Sequence, residues 1–197
     1  MNHGCRKCRR EGVKLFLKGD KCFSPKCPVS TRPFPPGQHG PNFFSKLSEF
    51  GKQLREKQKV KKVYGINETQ LKNYYDKASK KIGDTSENLV QLLESRLDSI
   101  IYRLAIAPSR STVRQMVSHR YFRVGKRIVN IASHVITPKD EISLNDKKKV
   151  SLNNKTNLPS WISVDAKTSI IKLKNLPNKD EIDLPFDINL VIEYYSR

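Results

Sequence analysis

The sequence predicts an α+β protein. A helical N-terminal domain with a four-cysteine loop leads into short helices packed on a small twisted antiparallel sheet, and a C-terminal segment docks back on the fold. Three observations carry this. All four cysteines fall within the first 27 residues, apolar residues recur at helical spacing as far as Val117, and from Tyr121 the pattern changes to short β-branched runs. Boundaries follow at 1–45, 46–90, 91–157 and 158–197.

Cys5, Cys8, Cys22 and Cys27 form a C-x2-C-x13-C-x4-C arrangement. Two close pairs across a short loop suit a tetrahedral thiolate site, each pair clasping the metal from one side. Lys7, Arg9, Arg10, Lys21 and Lys26 surround them, which favours the thiolate and offsets the negative charge of such a centre. Four ligands close the coordination sphere, so the expected metal is a structural Zn2+. A [4Fe–4S] cluster uses the same ligand set and stays open as the alternative. The other reading is four separate thiols or two disulfides. The start, Met1-Asn2-His3-Gly4-Cys5, has no apolar core of a secretory signal, which weighs against disulfides. A zinc deaminase would need a His-x-Glu ahead of its cysteine pair, and the chain has no such triplet.

Arg32 to Pro41 holds four prolines in ten residues, so it is expected to run extended or polyproline-like. It is either a stiff linker or a strand laid along phosphates, with Phe34 and His39 available for stacking. Phe43, Leu47, Phe50 and Leu54 then give helical spacing to about Tyr64. Lys52, Arg55, Lys57, Lys59, Lys61 and Lys62 form its cationic outer face. Gly65 ends it. Asn67 and Gln70 form a capping box opening a helix to about Lys81, and Gly83-Asp84 breaks it. Leu89, Leu92, Leu93, Leu97, Ile100, Ile101 and Leu104 give the clearest 3.6 period and belong to the core. Ser109 caps a short helix to about His119, with Val113, Met116 and Val117 inward. Arg110 and Arg114 lie one turn apart with no acid in that helix, a repulsion of about 0.2–0.5 kcal/mol in isolation. Either an anion or a distant carboxylate must answer them.

Val124, Ile128, Val129, Ile131, Val135, Ile136, Ile142 and Leu144 make the strand runs, with turns at Gly125-Lys126 and Pro138-Lys139-Asp140. Residues 145–160 read as a loop. Trp161, Ile162, Val164, Ile170, Ile171 and Leu173 suggest further strands, and Leu190, Val191, Tyr194 and Tyr195 a terminal helix or strand.

The 197 residues carry 38 Lys+Arg against 19 Asp+Glu, a formal charge of +19. The excess is uneven: 16 against 4 over residues 1–65, 12 against 6 over 66–134, and 10 against 9 over 135–197. Such segregation points to a polyanion, either nucleic acid or an anionic membrane surface. No apolar run has the roughly 18 residues of a membrane helix. No glycine loop for nucleotides is present, Asp84, Asp98 and Asp165 are lone acids, and 53 residues after Leu144 are too few for a catalytic domain, so an enzyme is not expected.

Over nearly its whole length the chain resembles the S-four family of small-subunit ribosomal proteins, of the bacterial or organellar type in its zinc-loop form. The matches are Cys5-Arg-Lys-Cys8-Arg-Arg-Glu-Gly12, Lys14-Leu-Phe-Leu-Lys18, Arg32-Pro-Phe-Pro-Pro-Gly-Gln-His-Gly40, Gln53-Leu-Arg-Glu-Lys-Gln-Lys59, Leu92-Leu-Glu-Ser-Arg-Leu-Asp98, Tyr102-Arg-Leu104, Val117-Ser-His119 and Ile192-Glu-Tyr-Tyr-Ser-Arg197. The resemblance implies a primary binder of 16S-type rRNA that nucleates small-subunit assembly and contributes to translational accuracy. It would lie where mRNA enters the subunit, beside proteins S-five and S-three, with no membrane partner and no small-molecule substrate. Residues 91–157 would be the small RNA-binding domain typical of the family.

The RNA surface implied there is Ser109, Arg110, Thr112, Arg114, Gln115, Ser118, His119, Lys126 and Arg127. Upstream, the basic positions Arg6, Lys7, Arg9, Arg10, Lys14, Arg32, His39, Lys52, Arg55, Lys59 and Lys62 join it. Two departures stand out. The family's Ser-His-Gly-His reads Ser118-His119-Arg120-Tyr121, and its Val-Asn-Gly-Lys reads Val124-Gly125-Lys126-Arg127, which suits a type II′ turn. The Lys, Asn and Ile content suggests an AT-biased genome. The expected place is the cytoplasmic ribosome of a bacterium, with an organellar ribosome as the other reading.

Overall fold

The structure, a computed structural model, describes residues 4–42, 46–145, 159–165 and 170–197. The chain divides into two compact units, Met1–Ser86 with Asp183–Arg197, and Glu87–Ile182. Phe43 and most of the expected 145–160 loop lie outside the described residues.

The first unit contains α1 (Gly4–Glu11), α2 (Asp20–Phe23), α3 (Pro28–Thr31), α4 (Glu49–Tyr64), α5 (Glu68–Ser79) and, from the far end of the chain, α9 (Ile188–Tyr195). Helix α4 opens where Ser48 Oγ accepts the Gly51 N–H at 3.2 Å and closes at Gly65, left-handed at φ 60°. Asn67 and Gln70 form the expected capping box, each side chain accepting the other's backbone N–H (2.8 and 3.2 Å).

The expected apolar stripe of α4 is not its buried face. Leu47 precedes the helix, and Leu47 and Phe50 are nearly half exposed. The buried line is Gln53, Lys57, Val60 and Tyr64. It is buried because α9 lies along it and supplies polar partners. Gln53 Nε2 donates to Glu193 Oε2 at 3.0 Å, and the Lys57 ammonium sits 3.9 Å from the centre of the Tyr194 ring. The Gln53 amide nitrogen is thus satisfied although its Oε1 is buried without a partner, and the lysine stem packs as hydrocarbon.

The Pro-rich segment is not extended throughout. Gly37, at φ 124°, turns the chain back, and a Cβ on Gly40 would meet the Pro35 carbonyl oxygen at 2.0 Å. Only glycine permits that approach.

The second unit holds most of α6 (Thr85–Glu94), α7 (Leu97–Arg103), α8 (Arg110–Ser118) and a five-stranded antiparallel sheet. Its strands are β1 (Phe122–Val124), β2 (Arg127–Val129), β3 (Glu141–Leu144), β4 (Ile162–Val164) and β5 (Ile171–Leu173), in the order β2-β1-β3-β5-β4. The leucine period from Leu89 to Leu104 is cut at Ser95–Arg96. There the chain leaves the helix to pair with residues 132–136: the Leu97 N–H donates to His134 O and the Ile136 N–H to Ser95 O, both at 2.8 Å. Leu89 and Leu93 are buried ahead of the cut, and after it Leu97 and Ile101 join a core that includes Val113, Val117, Phe122 and Ile171.

The sheet also crosses the boundary drawn at 157. Ile171 pairs with Ile142 of β3 and carries β4 with it. Burying Ile162, Ile171 and Leu173 stabilises by about 1.5–3 kcal/mol each, which ties this stretch to the preceding module. Of the segment 158–197, only the part from Asp183 belongs to the first unit, with α9 against α4.

Candidate nucleic-acid interface

The expected RNA-facing residues separate into those that point outward and those that the fold has already engaged. On α1, Arg6, Lys7 and Arg10 are exposed. Arg9 faces inward: Nε donates to Phe34 O at 2.9 Å, Nη2 to Pro35 O at 3.3 Å, and the guanidinium covers the Phe34 ring at 4.8 Å. It holds the Pro-rich segment to α1, and it occupies one face of a ring that the sequence offered for stacking. Lys14 is half-buried, while Arg32 and His39 are exposed.

The cationic face of α4 is largely spent on internal carboxylates. Lys52 pairs with Glu49 at 2.7 Å, Lys59 with Glu56 at 2.5 Å, and Lys57 and Lys61 with Glu68 at 2.9 and 2.8 Å. Arg55, at 3.4 Å, and Lys62 both reach Glu11, whose side chain is fully buried. Acids scattered over residues 11–68 thus neutralise much of what the sequence presents as a free basic helix.

In the second unit, Ser109 caps α8 by accepting the Thr112 N–H at 3.3 Å. Its hydroxyl also meets those of Ser111 and half-buried Thr112, at 2.9 and 3.0 Å. The repulsion between Arg110 and Arg114 is answered by distant carboxylates. Arg110 Nη1 donates to Ser99 Oγ at 2.9 Å and Nη2 to Glu94 Oε1 at 3.4 Å, with the guanidinium 4.5 Å over the Tyr102 ring. Arg114 Nε lies 3.8 Å from Asp98 Oδ2. Gln115, Ser118 and His119 remain exposed past it, as do Lys126 and Arg127 at the β1–β2 hairpin. Positive φ falls on Gly125 (55°) and not on Lys126, as a type II′ turn requires.

Arg120, outside the expected set, is also exposed. It closes α8 at φ 62°, with its carbonyl accepting from Asn145 Nδ2 at 3.0 Å. The glycine expected there by resemblance is the signal: that position needs a left-handed residue.

Cys5 and Cys8 sit on α1, Cys22 on α2, and Cys27 just before α3. All four are free thiols lining one pocket, together with Gly4, Leu17, Pro28 and Val29. The Lys18 N–H donates to Cys22 Sγ at 3.4 Å. The surrounding cations do not lower every thiol. Burial pushes Cys8 up, opposed by the Leu15 N–H and reinforced by the charge of Cys22, Cys5 and Cys27. The four thiols share one pocket and are of a type that ligates metals. Among the described residues, however, no group of three or more His, Cys, Asp or Glu is close enough to hold a metal ion.

Residues 1–94 match the ribosomal protein S4/S9 N-terminal domain, and residues 95–142 match the S4 domain. The small ribosomal subunit protein uS4 of Dictyoglomus turgidum is 48% identical over 199 residues, covering 98% of this chain and 96% of that protein. The uS4 of Pelotomaculum thermopropionicum is 46% identical over 201 residues, and the uS4A of Alkaliphilus metalliredigens 44% over 200, with the same coverage. The chain belongs to the uS4 family of small ribosomal subunit proteins.

Proposed function

We propose that this chain is a structural, non-enzymatic protein of the small ribosomal subunit of a bacterial cytoplasm, where it binds 16S-type rRNA. The observation that carries this is the division of its cations. Arg6, Lys7, Arg32, Lys126 and Arg127 face outward, while most cations of α4 are held by carboxylates of the same chain. Outward cations neutralise phosphates and release counterions, so each contact steepens the salt dependence by roughly 0.7–0.9 in log K per log salt. The engaged cations instead keep the scaffold rigid. A structured RNA is then read by shape and backbone more than by base edges.

The finer parts of this reading rest on the family resemblance: nucleating subunit assembly, lying where mRNA enters beside proteins S-five and S-three, and supporting accurate decoding. The four cysteines are read as ligands of a structural Zn2+, supported by their shared pocket and thiol chemistry, with a [4Fe–4S] cluster as the competing group. The metal would fix the N-terminal helices and perform no chemistry. The test is affinity for a 16S 5′-domain fragment against a scrambled RNA of equal length. Tighter binding of the fragment at moderate salt is expected, and equal binding overturns the rRNA reading.

A further inference from the structure

We propose that the outer face of Phe23 is a stacking platform for an unpaired nucleobase, which rests on the RNA-binding reading above and names a contact within it. Phe23 is 74% exposed, more than any other aromatic among the described residues. Its inner face is occupied by Phe16, with ring centres 5.0 Å apart and planes inclined by 29°. Phe16 is itself held at φ 50°, a left-handed conformation that aromatic residues rarely adopt. Buried Leu15 on one side and the Lys18 N–H bond to Cys22 on the other fix the loop in that shape. The two rings form a stack with one side supported and the other side open to solvent.

The surrounding charge identifies the occupant. Lys14, Lys18, Lys21 and Lys26 lie within three residues of one ring or the other, against a single acid, Asp20. None of the four lysines forms an ion pair among the described residues. A protein contact around an apolar anchor is depleted in lysine, whereas single-stranded nucleic acid is held by an aromatic face set among cations. The other rings differ: Arg9 lies over one face of half-buried Phe34, and Phe50 packs on Tyr194 at 5.6 Å with the Arg197 guanidinium 5.9 Å from its centre.

The test measures binding of the full-length chain and of Phe23→Ala, Phe23→Leu and Phe23→Trp. Each is titrated with the 16S 5′-domain fragment, the scrambled RNA and a single-stranded oligoadenylate. Loss of one stacked base weakens binding roughly 5- to 150-fold. Phe23→Ala should show that loss on every RNA with unpaired bases. Phe23→Leu keeps apolar cover over Phe16 without a π-face and should lose nearly as much, while Phe23→Trp should restore binding. Equal affinity of Phe23→Ala, Phe23→Leu and the parent chain overturns the platform. So does unchanged RNA affinity combined with failure of Phe23→Ala to enter small-subunit particles, which would make Phe23 a protein contact. Equal binding of fragment and scrambled RNA overturns the rRNA reading alone, because the oligoadenylate still reports the stack.

Discussion

Arg103 grips Glu94 with both arms of its guanidinium, Nε to Oε2 at 3.0 Å and Nη2 to Oε1 at 2.7 Å, while Arg110 reaches the same buried carboxylate from α8. One acid thus ties α6, α7 and α8 together. Removing one partner of a buried pair costs about 3–5 kcal/mol. Both arginines keep an edge in water, which favours the low end. Glu94→Gln is expected to destabilise the second unit by about 3 kcal/mol. Trp161, the chain's one tryptophan, is buried in that unit, so its fluorescence in urea reads the change. An unshifted midpoint would show that the arginines find other partners.

The sorting of cations gives a contrast within one assay. Lys126→Ala removes an outward charge at the hairpin and is expected to lower the salt slope of rRNA binding by about 1. Lys59→Ala removes a cation already paired with Glu56 and should leave that slope unchanged. Equal slope changes in the two variants would contradict the division.

Arg120 stands where the backbone is left-handed, at a cost of about 1–2 kcal/mol for a residue with a Cβ. Arg120→Gly removes that strain but frees the unfolded chain, which returns part of the gain. A net stabilisation of about 1 kcal/mol is expected, again through Trp161 fluorescence. The same change should weaken rRNA binding slightly by removing an exposed charge.

What the sequence made legible was whatever is local. The Asn67 capping box, the Ser109 cap, the turn at Gly125-Lys126 and the runs at Val124, Ile128, Ile142 and Ile171 depend on neighbours a few residues apart. Ile131 and Ile136, by contrast, lie outside the strands, and Val135 makes an isolated bridge. What local sequence does not carry depends on partners far along the chain. Nothing near Gln53 or Lys57 announces Glu193 or Tyr194, so apolar spacing alone points to the wrong face of α4. Charge counting shows excess but not pairing, so Lys62 and Arg55 read as free although Glu11 holds both. The leucine period hid the cut at Arg96 because hydrophobic spacing is blind to a strand bridge from Val135.

Glu68 provides a pH signature for the first unit. Burial alone would raise its carboxyl. Hydrogen bonds from Lys61, Lys57 and Tyr195, with the charge of Lys57, outweigh that and hold it at about 2. A lowered folded value adds stability that is present above the unfolded value near 4.3 and is lost as pH falls towards 2. Tyr195 donates to Glu68 at 2.7 Å. Burial first, then that carboxylate, raise its hydroxyl, so its share is lost as pH climbs above about 10. Protection of the α4 and α9 amides, taken relative to the intrinsic exchange rate at each pH, should therefore fall at both extremes. Glu68→Gln is expected to flatten the acid limb and Tyr195→Phe the alkaline one. Unaltered limbs in these variants would assign the pH dependence to other groups.

The proposed zinc site predicts a local collapse. Helices α1, α2 and α3 are short, of 8, 4 and 4 residues, and lengths of that order do not hold a helix alone. A structural metal would contribute its binding energy as folding energy there. Cys22→Ser removes one thiolate and the acceptor of the Lys18 N–H, so it should expose the first 30 residues to protease. The second unit has its own core, so its Trp161 signal and urea midpoint should hold. Elemental analysis of the parent chain is expected to give one zinc per molecule, and four iron atoms would replace zinc with a cluster. Parent-like protease resistance in Cys22→Ser would show that side-chain packing, not a metal, holds the loop.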